Sequence, residues 1–173
     1  MKRHTSISSL VCLVLGLALA ACGSDNNTAD TGSRVDAPAA TTLYARLGGR
    51  AGIASAVDAI VVDEVADAEI AAFFANAGMA GRPTVDQIKA CLVNQLANAA
   101  GGPEAYPGVP ADSLGWQCRS MTAAHAGLGI SGAVFDRFVT IAAGTLTRLG
   151  VASADIAVIG SVLNGTRADI VAP

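Results

Sequence analysis

A chain of 173 residues, 52% hydrophobic and 14% charged, has the length of one domain and leaves no room for two. Its 11 Lys and Arg against 14 Asp and Glu give a formal charge of −3 with no basic cluster, which excludes the electrostatic footprint of a nucleic-acid binder. Only two histidines are present, one of them at position 4, and this excludes chemistry that needs several imidazoles in one domain.

The N-terminus begins Met1-Lys2-Arg3-His4, runs through an apolar stretch from Ile7 to Ala20 and reaches Leu19-Ala20-Ala21-Cys22. A charged start, a short apolar run and small residues before a cleavage point predict an export signal over residues 1–21, too short for a stable membrane span. Leu-Ala-Ala-Cys resembles the lipobox of bacterial lipoproteins, which implies a lipid on Cys22, attachment to a membrane and a place in the bacterial cell envelope. The other reading is an ordinary signal with a Cys there by chance. Residues 22–41, small, polar and without apolar periodicity, predict a disordered tether, and residues 42–173 the folded domain.

Ile53, Val57, Ile60, Val61 and Val65 recur at steps of three and four and predict a helix from about Arg50 to Val65 with one apolar stripe. Pro83 precedes Thr84-Val85-Asp86-Gln87, a capping box, and behind it Ile88, Leu92, Val93 and Leu96 keep helical spacing until Gly101-Gly102-Pro103. From Gly101 to Met121 the Pro and Gly residues, with Trp116 and Cys118 among them, read as a long irregular loop. Ser131 is placed to cap a third helix that carries Phe135, Phe138, Ala142 and Leu146 on one face and ends at Gly150. Ser153 is placed to cap a fourth, with Ile156, Ile159, Leu163 and Ile170 inward. No strand pattern competes, so the expected fold class is all-α.

With Cys12 in the signal and Cys22 lipidated, Cys91 and Cys118 are the remaining thiols of an exported domain, where oxidation is favoured. They are expected to form a disulfide, with two buried free thiols as the alternative. His125 stands in Met121-Thr-Ala-Ala-His-Ala-Gly-Leu-Gly-Ile130, an apolar, Gly-containing stretch just beyond Cys118. A lone His in such a place is either a core residue satisfied by its neighbours or a ligand. A catalytic base would need a nucleophile and an orienting acid that no spacing places beside it. Zinc would need three or four ligands. Haem iron needs one imidazole, because the porphyrin supplies four nitrogens and the sixth position is left for a gas.

Leu43-Tyr44-Ala-Arg-Leu-Gly-Gly49, Phe73-Phe74, Gly101-Gly102-Pro103 with Tyr106 and Gly108, and His125-Ala-Gly-Leu-Gly-Ile130 follow one another in the order seen in group I truncated haemoglobins. The resemblance runs from about Thr42 to Val171. It implies a two-over-two helical sandwich in which an extended loop replaces the helix before the proximal His. It also implies haem b as cofactor, His125 as the proximal iron ligand and Phe74 on the haem face. Ile88, Leu92 and Leu96 would then meet the cofactor, and Ile130, Phe135 and Phe138 would line the proximal side.

Many members carry a Tyr on the second helix of the fold and Gln partners on the helix after the Phe-Phe pair, all donating to bound O2. In this sequence the Tyr position falls on Val61 and the Gln positions on Ile88 and Leu92, so the expected distal pocket is apolar, with Gln95 and Gln87 the nearby polar candidates. An apolar pocket weakens O2 more than CO or NO. The implied function is binding of a diatomic gas, O2, NO or CO, at the envelope, with an unknown electron donor. Oxidation of NO by bound O2, as some relatives perform, is the enzymatic variant, and the missing donors count against it. The reading from another class is a haem-free helical lipoprotein acting as a structural or interaction module.

Overall fold

Helix formation starts at Thr42, whose hydroxyl accepts from Ala45 N and caps α1, Leu43–Arg46. The computed structural model describes residues 41–110, 113 and 115–173; the expected signal, Cys22 and all but the last residue of the expected tether lie outside the described residues. After α1 come α2 Gly49–Ala66, α3 Ala68–Phe74, α4 Val85–Ala99, α5 Met121–His125, α6 Gly132–Arg148, α7 Ser153–Gly165 and α8 Arg167–Ile170. Among the described residues no strand forms, and an isolated antiparallel bridge joins Pro110 to Gln117.

The four long helices form where the periodicity predicts them, but the fourth stops at Gly165, and Ile170, expected on it, falls on α8 after a break at Thr166. Both arms of the capping box at α4 are made: Gln87 N donates to the Thr84 hydroxyl at 3.2 Å, and Thr84 N donates to Gln87 Oε1 at 2.8 Å. Ser131 caps α6 by accepting from Val134 N. Ser153 does not cap α7: it is the first helical residue, Ala152 holds the cap position without a side-chain bond, and Asp155 places its charge in the first turn. The short helices α1, α3, α5 and α8, four to seven residues each, complete too few turns to show a periodic stripe.

Packing sets two helix pairs together. Ile53, Val57 and Val61 of α2 interlock with Val93 and Ala97 of α4, while Ile60 of α2 joins Ala142 and Leu146 of α6 and Ile159 of α7. α2 against α4 is one pair, α6 against α7 the other, and α2 meets α6 between them, which is the two-over-two arrangement. Each fully buried Val or Ile contributes roughly 1.5–3 kcal/mol relative to exposure. At the α1–α2 junction Gly48 and Gly49 hold φ of 81° and 65°, left-handed values that strain other L residues. Beyond α4, a Cβ on Gly102 would stand 2.5 Å from the Tyr44 ring.

The loop after α4 is braced at several points. Gly108 N donates to Cys118 O at 2.8 Å, Cys118 N donates to Val109 O at 3.0 Å, and the Tyr106 hydroxyl donates to Arg119 O at 2.8 Å. Cys118, 1% exposed, is bonded to Cys91 of α4 with their Cα atoms 5.4 Å apart. The loop is thereby tied to α4 three residues before α5 begins.

Candidate functional site

Ser120 accepts from Ala123 N and opens α5, whose last residue is His125. Gly127 and Gly129, with φ of 74° and 67°, then turn the chain toward Ser131 and α6. The His125 Nδ1 lies 2.8 Å from Met121 O, one turn back. A carbonyl oxygen only accepts, so Nδ1 carries a proton, and the neutral ring in this tautomer has its lone pair on Nε2. A backbone carbonyl on one nitrogen is the arrangement that orients an imidazole for metal ligation through the other.

The His125 ring lines a cavity of about 240 Å³. Of the residues singled out from sequence, Phe74 of α3, Gln87, Ile88, Leu92 and Gln95 of α4, His125 of α5, Ile130, and Phe135 and Phe138 of α6 come together around it. Val61 and Leu96 are not among its walls. Val61 is 1% exposed and taken up by the α2–α4 interface, and Leu96 faces a second cavity with Ala99, Ala100 and Leu146. The physical reason is helical register. Ile88, Leu92 and Gln95 lie at steps of four and three on one face of α4, and one residue further rotates Leu96 by about 100° onto the next face.

The wall is not wholly apolar, and this corrects the expectation of an apolar distal pocket. Gln95 is buried and lines the cavity, and so does Glu64 of α2, which is 1% exposed with no hydrogen-bond partner on its Oε1. Burial first, and the neighbouring Asp63 charge second, push the Glu64 carboxyl up to about 8. Sequence reasoning missed Glu64 although a signal was there. At about 100° per residue, position 64 falls near the centre of the stripe set by Ile53, Val57 and Ile60, while Val65 falls well to its side. Accordingly Val65 is exposed and Glu64 takes the inward position.

Arg82 and Arg119, also missed, are exposed cations in the cavity wall, and Arg119 stands 5.9 Å from the centre of the Trp116 ring. Burial raises the Tyr106 hydroxyl above its usual value in the same wall. The second cavity is larger, about 510 Å³, but neither imidazole nor thiol lines it, and its carboxylate, Asp155, is held by Arg46 at 2.7 Å. Among the described residues no group of three or more His, Cys, Asp or Glu is placed to hold a metal ion, and no helix is long and apolar enough to cross a membrane.

No protein-family model matches the chain. A group 1 truncated haemoglobin from Tetrahymena pyriformis is 30% identical over 129 residues, which span 75% of this chain and 93% of that protein. The crystal structure of truncated haemoglobin from the same organism in the Fe(III) form is similar with a TM-score of 0.63 and 29% identity, covering 77% of this chain and 100% of that one. A 2/2 haemoglobin from Synechococcus sp., solved in the cyanomet state with covalently attached haem, gives a TM-score of 0.62 and 26% identity over 75% of this chain and 98% of that one.

Proposed function

The chain belongs to the group 1 truncated haemoglobins, and from that membership we propose that it binds haem in the His125 cavity and holds a diatomic gas there. The observation that carries the reading is the His125 ring, whose Nδ1 is engaged by Met121 O and whose Nε2 has the lone pair of the neutral ring, on a wall of otherwise mostly apolar side chains. Bound haem supplies an iron with four porphyrin nitrogens, one place for an imidazole and one for a gas.

The protein's own residues suit that group. Phe74, Ile130, Phe135 and Phe138 offer apolar surface to porphyrin faces and keep water from the site. Exposed Arg82 and Arg119 are placed to pair with the two carboxylates of haem. The sulfur of Cys91, which also lines the cavity, is already bonded to Cys118 and has no thiol to give to a covalent haem link, which favours haem b. A ferrous iron needs a reductant, so an electron donor is a partner.

Leu19-Ala20-Ala21-Cys22 supports a lipid-anchored protein of the bacterial envelope, and the Cys91–Cys118 disulfide agrees with an oxidising compartment. O2, NO and CO are the ligands such a pocket accommodates.

The test is the absorption spectrum. Purified protein should show a stoichiometric Soret band, and His125→Ala should lose it or leave a five-coordinate site restored by added imidazole. A ferrous spectrum unchanged by His125→Ala would overturn the ligand assignment. No Soret band after haem is added would favour the haem-free structural reading.

A further inference from the structure

Glu64 has no part in the haem site as described above, yet it occupies the most enclosed position on its wall. It stands at the centre of the apolar stripe of α2, is 1% exposed, and shares the cavity with Gln95 and His125. Its Oε1 is buried and meets no hydrogen-bond donor. Asp155 is engaged by Arg46, Asp67 by Arg137 and the first turn of α3, and Asp63 by Thr145 and Arg148; Glu104 also has a buried Oε2 without a partner, but its Oε1 accepts from the Tyr44 hydroxyl at 3.0 Å. A buried carboxyl without a partner is costly, and a leucine here would continue the stripe with no such cost. Folding therefore gives no reason for an acid at this place, whereas a ligand in the cavity does.

Resting on the haem reading, we propose that Glu64 is a specificity-determining residue whose carboxyl, in its acid form, donates a hydrogen bond to a small anionic or polarised ligand on the iron. It takes the part that the apolar side chains Val61, Ile88 and Leu92 are unable to play. The ligand class is small species that carry negative charge when bound to iron: fluoride, azide, cyanide, or O2 on ferrous iron. No covalent step is involved. The proton stays on Glu64 and is shared with the bound atom. Once the carboxyl ionises, donation is lost and the new charge repels the same ligand.

Burial and Asp63 hold the group protonated through neutral pH, with its ordinary value raised to about 8. The titratable groups in the cavity wall besides Glu64 are Arg82, Tyr106, Arg119 and His125; α3, α4, α6, α7 and α8 bring only uncharged side chains to it. Outside the wall, Lys89 of α4 pairs with Asp58, Arg137 of α6 with Asp67 and, at 3.8 Å, with Glu69 of α3, and Arg148 of α6 with Asp63. Arg46 of α1 pairs with Asp155.

The test uses the full haem-loaded ferric chain and fluoride, followed by its visible spectrum from pH 6 to pH 9, in wild type, Glu64→Gln and Glu64→Leu. The Gln amide keeps a donor without titrating and so reports the iron-bound water alone; Leu removes the donor. Relative to Glu64→Gln, the wild-type dissociation constant should rise by up to about tenfold per pH unit above pH 8. At pH 6 Glu64→Leu should bind fluoride about ten- to a hundredfold more weakly than wild type. Infrared difference spectra between pH 6 and pH 9 should show loss of a protonated-carboxyl band in wild type that is absent in Glu64→Gln.

Fluoride curves that coincide for all three proteins, or an infrared band that persists in Glu64→Gln, would overturn the role of Glu64. Because all three proteins are first scored for the Soret band, that outcome stays separate from failure of haem binding itself.

Discussion

At the level of single residues, Glu64 makes stability depend on pH in a direction opposite to that of the surface acids. Its carboxyl sits at about 8 in the folded chain against an ordinary 4.5. Below that ordinary value it is protonated in both states and its burial is matched. As pH rises toward 8 the unfolded chain gives up the proton while the folded chain keeps it, so stability falls, and above 8 the loss levels off. Three to four pH units correspond to roughly 4–5 kcal/mol. Denaturant midpoints between pH 5 and pH 8 should therefore fall in wild type and stay much flatter in Glu64→Gln. Parallel curves would contradict the burial argument.

Asp63, held low first by the Thr145 hydroxyl and then by Arg148, and Asp155, held low first by its hydrogen bond to Arg46, act in the other window. Their stabilisation is lost as pH falls through and below the usual carboxylate range, so the two effects separate on the pH axis.

Among the elements, α4 and α5 build the site between them, and neither reaches the cavity correctly without help. α4 is started by the Thr84–Gln87 capping box and presents Ile88, Leu92 and Gln95 inward. α5 has only five residues, too few to be stable alone, and depends on the loop that Cys118 ties to α4. A separation of 27 residues corresponds to about 3–4 kcal/mol in the chain-entropy account of disulfides. Replacing Cys91 and Cys118 together by Ser should lower the unfolding free energy by that order and speed haem loss, since the proximal segment is then free to swing. A double variant with wild-type stability and haem retention would show that packing alone places α5. The capping box and the four long helices were legible because their signals are local. α5 was not, because a single turn leaves no period to read.

On the scale of the whole molecule, the α2–α4 and α6–α7 pairs meet through α2 and leave the His125 cavity open to contributions from every helix from α2 to α8. A protein built this way and exported on a lipoprotein signal would present its cavity outside the cytoplasm. Cys22→Ala should move it from the membrane fraction to the soluble one without changing its Soret band, as fractionation and spectroscopy of the same sample will show. Continued membrane association of the variant would remove the lipid anchor from the account.

What the order of residues determined by itself is the class of fold and the lone imidazole of residues 42–173, while the pairing of Cys91 with Cys118 stood beside the alternative of two free thiols until the structure brought their Cα atoms to 5.4 Å. The first follows from a period and the second from a count along one chain. Which side chains share the cavity was decided only in three dimensions. Val61 and Leu96 belong to stripes as apolar as those of Ile88 and Leu92, yet one is spent on the α2–α4 interface and the other on a different cavity. Glu64, an acid in a stripe of aliphatic residues, is turned inward because helix rotation leaves it no other face once Ile53, Val57 and Ile60 are buried. Periodicity tells which residues are on the same side of a helix; only packing against neighbouring helices tells what that side meets.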